Sequence, residues 1–234
     1  MRRLAFFLLA LSLLSPLRAQ VGDYRSALAV GVNGGCAFNR ISFDPTIKQT
    51  YHGGMTGGLT LRYTCERYYS LLCALQLEVN YAQMGWKEKI ETSTDTYSRT
   101  VNYIQFPLLA RLGLGRETKG VMGYLVLGPQ VACYLSDKDK RGGEWSEETL
   151  GLRPNLVVEQ YDLPIQNKFE YGITGGLGME VNTLRAGHFM IEGRYYFGLN
   201  NIFKDGKADA FGRSANGAIM AKVTYLFDVL KPNR

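Results

Sequence analysis

The feature that most limits what this chain can become is a recurring period of two. Apolar side chains fall at every second position over stretches on the order of ten to fifteen residues, which marks strands with one greasy face and excludes a helical period of 3.6. Leu71, Cys73, Leu75, Leu77, Val79 and Tyr81 share one face, opposite Ala74, Gln76, Glu78, Asn80 and Ala82. Ile104, Phe106, Leu108, Ala110, Leu112 and Leu114 likewise oppose Gln105, Pro107, Leu109 and Arg111. Phe189, Ile191, Tyr195, Phe197 and Leu199 oppose Met190, Glu192, Arg194, Tyr196 and Asn200.

Reading the whole chain this way predicts eight strands, over residues 27–38, 51–65, 70–85, 100–114, 121–135, 168–181, 188–200 and 216–228. Each matches or slightly exceeds the roughly 9–11 residues of a strand tilted through a bilayer. The connections alternate in length. Residues 39–50, 86–99, 136–167 and 201–215 are long, whereas the links at 66–69, 115–120 and 182–187 are short. Short turns at one end and long loops at the other are the asymmetry of outer-membrane barrels. The expected fold is all-β: a closed, antiparallel, eight-stranded transmembrane up-and-down barrel. Pro107, in mid-strand, predicts a local bulge, because proline cannot donate to a ladder.

Alternation alone does not say which face is inside. Volume decides it, because a closed eight-stranded barrel has barely enough interior for its own side chains. The polar face is also the small one: Gly31, Asn33 and Gly35 in strand one, Thr56, Gly58 and Thr60 in strand two, Gly172, Thr174, Gly176 and Gly178 in strand six. The apolar face is bulky and is therefore directed to lipid. The mid-strand charges then become lumenal, with Arg62, Arg111, Arg194 and Lys222 set against Glu78, Glu170, Glu180 and Glu192. Lone ions in so dry a space cost several kcal/mol each, so a hydrogen-bonded structural network of opposite charges is expected there, between neighbouring strands. Tyr68 and Tyr69 at a short turn, Trp86 at the end of strand three, and Tyr225 and Phe227 in the last strand suit interfacial aromatic girdles.

The first residues predict export. Arg2 and Arg3 precede an apolar run over 4–14, and Ser15, Pro16 and Ala19 close it, the order of a cleavable signal sequence. Cleavage after Ala19 leaves residues 20–234 as one barrel domain. Removing Arg2, Arg3 and Arg18 halves the formal net charge of +6, so the basicity is half leader and no nucleic-acid partner is expected. Cys36, Cys65, Cys73 and Cys133 match neither zinc spacing nor a redox pair, and no cofactor is implied. Cys65 and Cys73 flank a short connection and are placed to pair across a hairpin in an oxidising compartment, or to remain free thiols.

Three stretches resemble the PorT-like outer-membrane β-barrel domain of Bacteroidota. Tyr103, Ile104, Gln105, Phe106, Pro107, Leu108 and Leu109 look like that family's strand with a Pro-Leu-Leu ending. Gly172 to Gly178 with Glu180 is similar to its glycine-rich sixth strand, and Arg194, Tyr195, Gly198, Leu199 and Asn200 to its seventh. The resemblance implies an outer-membrane barrel over residues 27–228. It supplies no catalytic residue, and the family's founding role in protein secretion is not implied.

An enzyme would need a base. Only His52 and His188 are available, and the strand map places them at opposite rims, unable to share a site. No nucleophile elbow accompanies either. The long connection over 136–167 is the expected place for binding, because it exceeds what a hairpin needs. Within it Trp145, Leu156, Val157 and Val158 are the candidate contact residues. The expected function is a non-enzymatic outer-membrane barrel, embedded in lipid, whose loops serve envelope integrity, adhesion or binding of an envelope partner. The alternatives are an accessory barrel of a secretion system and a soluble, lipocalin-like exported carrier of an apolar ligand.

Overall fold

The computed structural model describes residues 23–116, 119–153, 157–183, 186–206 and 209–231. The expected signal sequence at 1–19 and the candidate contact residue Leu156 lie outside the described residues. Eight long strands run antiparallel: β1 (Asp23–Asp44), β3 (His52–Tyr68), β4 (Leu71–Glu88), β5 (Thr96–Gly115), β6 (Gly120–Gly142), β7 (Phe169–Thr183), β8 (Gly187–Asn201) and β9 (Arg213–Leu230). A two-residue strand, β2 (Gln49–Thr50), adds to the upper end of β4. The long strands pair in the order β4-β3-β1-β9-β8-β7-β6-β5, and β5 returns to β4. The ring is closed by the first strand against the last, in one register from Ala29 opposite Asp228 to Asp44 opposite Arg213.

The faces fall as the alternation predicts. Leu75, Leu77 and Ile191 are 43%, 40% and 67% exposed, whereas Gln76, Glu78, Arg111 and Glu192 on the alternate face are buried. The outward apolar runs, from Leu71 to Tyr81 on β4, Phe189 to Leu199 on β8 and Ile219 to Val229 on β9, each match the roughly 9–11 residues that cross a bilayer. A soluble carrier of an apolar ligand needs the reverse, a greasy cavity, and this interior is charged.

Small residues inside are explained by what lies over them. A Cβ on Gly178 would meet the Tyr124 ring at 2.5 Å, and one on Gly172 would meet the Tyr196 hydroxyl at 2.8 Å. Large interior side chains are thus accommodated against bare backbone.

Several expectations need correction. At the long-loop side β1, β4, β5 and β6 run well past their predicted ends, so about half of the loops predicted over 39–50 and 86–99 is strand; β5 and β6 stay paired up to Thr96 opposite Gly142. Pro107 makes no bulge. Phe106 opposite Val131, Pro107 opposite Gln130 and Ala110 opposite Leu127 keep one register, so the proline forfeits ladder bonds without adding a residue. An irregularity does occur at Cys65, where Thr64 faces Ala74 and Glu66 already faces Cys73. That slip takes Cys65 out of register with Cys73, and all four cysteines are free thiols. Trp86 is not in a girdle: it is fully buried inside the barrel. Its even position on β4 shares the parity of Gln76 and Glu78, and the strand runs on far enough to keep that parity.

Candidate functional site

Three layers of side chains fill the interior. At the short-turn end Ala29, Leu109, Tyr124, Val126, Met190 and Leu226 form a small apolar cluster. Above and beside it lies the charged layer. Glu180 accepts from Arg62 at 2.7 Å and pairs with Arg111, whose guanidinium stacks 3.6 Å from the centre of the Tyr124 ring. Glu78 accepts from both Arg194 terminal nitrogens, at 3.0 and 2.6 Å, and from Lys222 at 2.6 Å. Arg194 Nε also donates to Glu192 at 2.5 Å, and the amides of Gln76 and Asn80 donate to Glu78 at 2.7 and 2.8 Å.

The eight predicted lumenal residues are all buried, but they pair differently from the expectation. Arg62, Glu78 and Arg111 on neighbouring strands do not bond in sequence. Arg62 and Arg111 reach across to Glu180 on β7, and Glu78 reaches to β8 and β9. Glu170 accepts from the Asn216 amide at 2.7 Å instead of a cation. Strand tilt is the reason: a narrow barrel brings residues from opposite walls as close as those on adjacent strands. His188, at the short-turn end, lies 2.9 Å from both Glu180 and Asp228. His52 starts β3 at the other end, where its Nε2 is 3.0 Å from the Thr100 hydroxyl. The two histidines are thus separated along the barrel, as their strand positions require.

The third layer closes the long-loop end and was not legible from the strand map. Phe43, Trp86, Tyr97, Phe203 and Phe211 meet within it, Phe43 and Trp86 edge-to-face at 5.4 Å and Phe203 stacked on Phe211 at 5.4 Å. The connection over 143–168 folds over this layer with its described residues. It carries one helical turn, α1 (Glu147–Gly151), capped by the reciprocal Ser146 and Thr149 hydrogen bonds, and a 3₁₀ turn (Glu159–Tyr161). Tyr161 donates to Glu88 at 2.7 Å while accepting from Arg153 Nε at 3.1 Å. Arg153 pairs with Asp95 at 2.8 Å with both side chains buried, and Arg99 holds Asp137 and the Leu163 carbonyl. Trp145 packs against Tyr97 and Tyr161, with the guanidinium carbons of Arg141 and Arg153 each 5.3 Å from its ring centre. Val157 is buried in the same layer and Val158 is half-buried against it. Of the candidate contact residues, then, Trp145 and Val157 anchor the loop. The surface it shows to solvent includes Glu144, Glu147, Glu148 and Leu152.

Glu88, Asp95, Arg99 and Arg153 are functional-end residues that the strand map does not mark. For Glu88 and Arg99 a signal existed, since they continue the inward parity of β4 and β5; for Asp95 and Arg153 the partners come from separate loops.

Asp95 makes the loop acid-sensitive. Burial pushes its carboxyl up, but hydrogen bonds from Thr149, the Trp145 backbone, Arg153 and Ser93 outweigh burial and hold it at about 2, below the ordinary 3.8. A carboxyl lowered by folding stabilises the folded loop above its ordinary value, and that contribution is lost as pH falls through 3.8 toward 2. In a Trp86→Phe background, Trp145 emission should shift to the red over that interval, and Asp95→Asn should show the red-shifted emission already at neutral pH. An unchanged spectrum in Asp95→Asn would remove Asp95 as the clasp.

A closed ring of strands, apolar toward the outside and charged within, with long loops at one end, defines a membrane β-barrel. Residues 18–204 match the family model of the outer membrane protein beta-barrel domain, and the chain belongs to that family. Among solved structures it is similar to the attachment invasion locus protein Ail of Yersinia pestis in complex with the heparin analogue sucrose octasulfate, at 14% identity and a TM-score of 0.36, covering 86% of this chain and 99% of that one. It is also similar to Neisserial surface protein A, at 14% identity and a TM-score of 0.40, covering 86% and 97%. The outer membrane protein OprG of Pseudomonas aeruginosa matches at 12% identity and a TM-score of 0.43, covering 89% and 98%. No curated protein matches the chain in sequence.

Proposed function

We propose that this small outer-membrane barrel is a non-enzymatic anchor, made of residues 20–234 behind a cleaved signal sequence, whose clasped loops serve adhesion or envelope contact. The observation that carries this reading is the filled interior: the charged layer, the aromatic layer and the loop over 143–168 leave the barrel as a rigid mount. Loops held on a rigid scaffold are where such proteins bind. The contact surface is the exposed stretch around the helical turn of that loop, with Glu144, Glu147, Glu148 and Leu152. The stretches over 103–109 and 194–200 support placing the chain in the PorT-like branch of these barrels.

The test is genetic and surface-based. A strain lacking the gene, complemented with a variant carrying alanine at those four positions, should attach to a host-cell or matrix surface about tenfold less than the strain complemented with wild type. Barrel level and heat-modifiable gel mobility should be unchanged. Attachment equal to wild type would remove the loop as the contact surface. Cargo trapped in the periplasm after gene loss would instead favour a secretion-accessory barrel.

A further inference from the structure

We propose that a groove on the outer wall at the long-loop end holds the phosphorylated headgroup of an outer-leaflet glycolipid, clamped between Arg40 and Arg213. This goes beyond the loop reading and does not rest on it. The groove is a cavity of about 350 Å³ in which Phe38, Arg40 and Ser42 of β1 face Tyr195 and Phe197 of β8 across the outward side of β9.

Its position is set by the strands. On β1 the outward side chains run Val32, Cys36 and Phe38 before the first charge, Arg40; on β9 they run upward through Val223, Ile219, Gly217 and Ala215 before Arg213. Both arginines thus stand at the upper edge of the apolar band, where the charged parts of lipids lie. Register places Arg40 opposite Gly217, Ser42 opposite Ala215, and Arg213 opposite Asp44. The two arginines therefore flank the Ser42 and Ala215 pair in register, one from below on β1 and one from above on β9, and both line the groove.

The depression between them has a structural cause. Gly217 has no side chain, and Ala215 points outward yet is only 6% exposed, beneath its larger neighbours. A Cβ on Gly217 would lie 3.4 Å from the Tyr195 hydroxyl, which puts that hydroxyl over the glycine, across from Arg40. Arg213 lies 5.9 Å from the centre of the Phe197 ring, which orients its guanidinium.

Charge selects the occupant. Among the described residues neither arginine is ion-paired, although Asp44 stands across the strand from Arg213. Two guanidiniums with the Ser42 and Tyr195 hydroxyls between them match a phosphate on a sugar: forked donors take the phosphate oxygens, and the hydroxyls take the sugar. Phe38 and Ile219 below would meet the first methylenes of the acyl chains.

Native mass spectrometry of the mature chain in detergent tests this, with diphosphoryl lipid A, its dephosphorylated form and phosphatidylglycerol as probes. Diphosphoryl lipid A should be retained as a single bound copy, and Arg40→Gln with Arg213→Gln should weaken that retention at least about tenfold. Lys87→Gln with Lys138→Gln, which removes two other exposed cations at the same end, should leave retention within about twofold. Heat-modifiable gel mobility confirms that each variant is folded. Equal retention of phosphatidylglycerol or of the dephosphorylated lipid overturns the proposal. So does retention unaffected by loss of the two arginines, or equally affected by loss of the two lysines.

Discussion

Glu78→Gln will lower the stability of the folded barrel by about 3–5 kcal/mol, the usual cost of leaving a buried ion without its partner. Glu78 accepts from Lys222 and from both terminal nitrogens of Arg194, and all three side chains are buried. Arg194 keeps Glu192 when Glu78 is neutralised, but Lys222 is left facing an amide. Adding Lys222→Met should therefore recover a large part of the loss, because it removes the orphaned charge and fills similar volume. Urea titration of the barrel in lipid vesicles, followed by tryptophan emission, measures both. A midpoint for Glu78→Gln equal to wild type, or no recovery on adding Lys222→Met, would mean that the charged layer is hydrated rather than dry.

The second large effect is on the outside. Leu77 sits near the middle of the outward apolar run on β4 and is 40% exposed. For a protein in water, Leu77→Arg would cost almost nothing. For one whose outer wall meets hydrocarbon it should cost about 2–4 kcal/mol, whereas Leu135→Arg, near the long-loop rim, should cost no more than about 1 kcal/mol. The depth dependence is the informative part. Equal and small effects at Leu77 and Leu135 would place the protein outside the bilayer, and equal and large effects would point to packing instead of lipid.

How much of this was legible follows from the range of each interaction. The facing of Leu75, Leu77, Phe106 and Ile191 toward lipid, and of Glu78, Arg111 and Glu192 inward, is carried by a period of two along a single strand, so it survives without knowledge of any partner. The same period, carried past residue 85, puts Trp86 and Glu88 inside as well, since both are even-numbered on β4 and the strand runs on to Glu88. Pro107 shows the limit of a local rule. It forfeits ladder hydrogen bonds, but a continuous ladder on both sides absorbs the loss without an inserted residue.

The loop clasp could not be read in advance. Arg153 is 58 residues from Asp95 and 60 from Ser93, and Tyr161 is 73 from Glu88. None of these spacings carries a periodic signal, because each partner is chosen by where a loop arrives after the strands have closed. The groove between Arg40 and Arg213 has the same origin: β1 and β9 are the first and last strands, and they become neighbours only through closure of the ring.

By itself, then, the chain's sequence determined the strand type, which side of each strand is greasy, and the contrast between short and long connections, because these depend on side chains a few residues apart. Only the tertiary structure decided which carboxylate holds which cation, that the long loops build an aromatic lid, and that two distant arginines share one groove. Those outcomes depend on tilt and closure, which set distances across the barrel that no local pattern encodes.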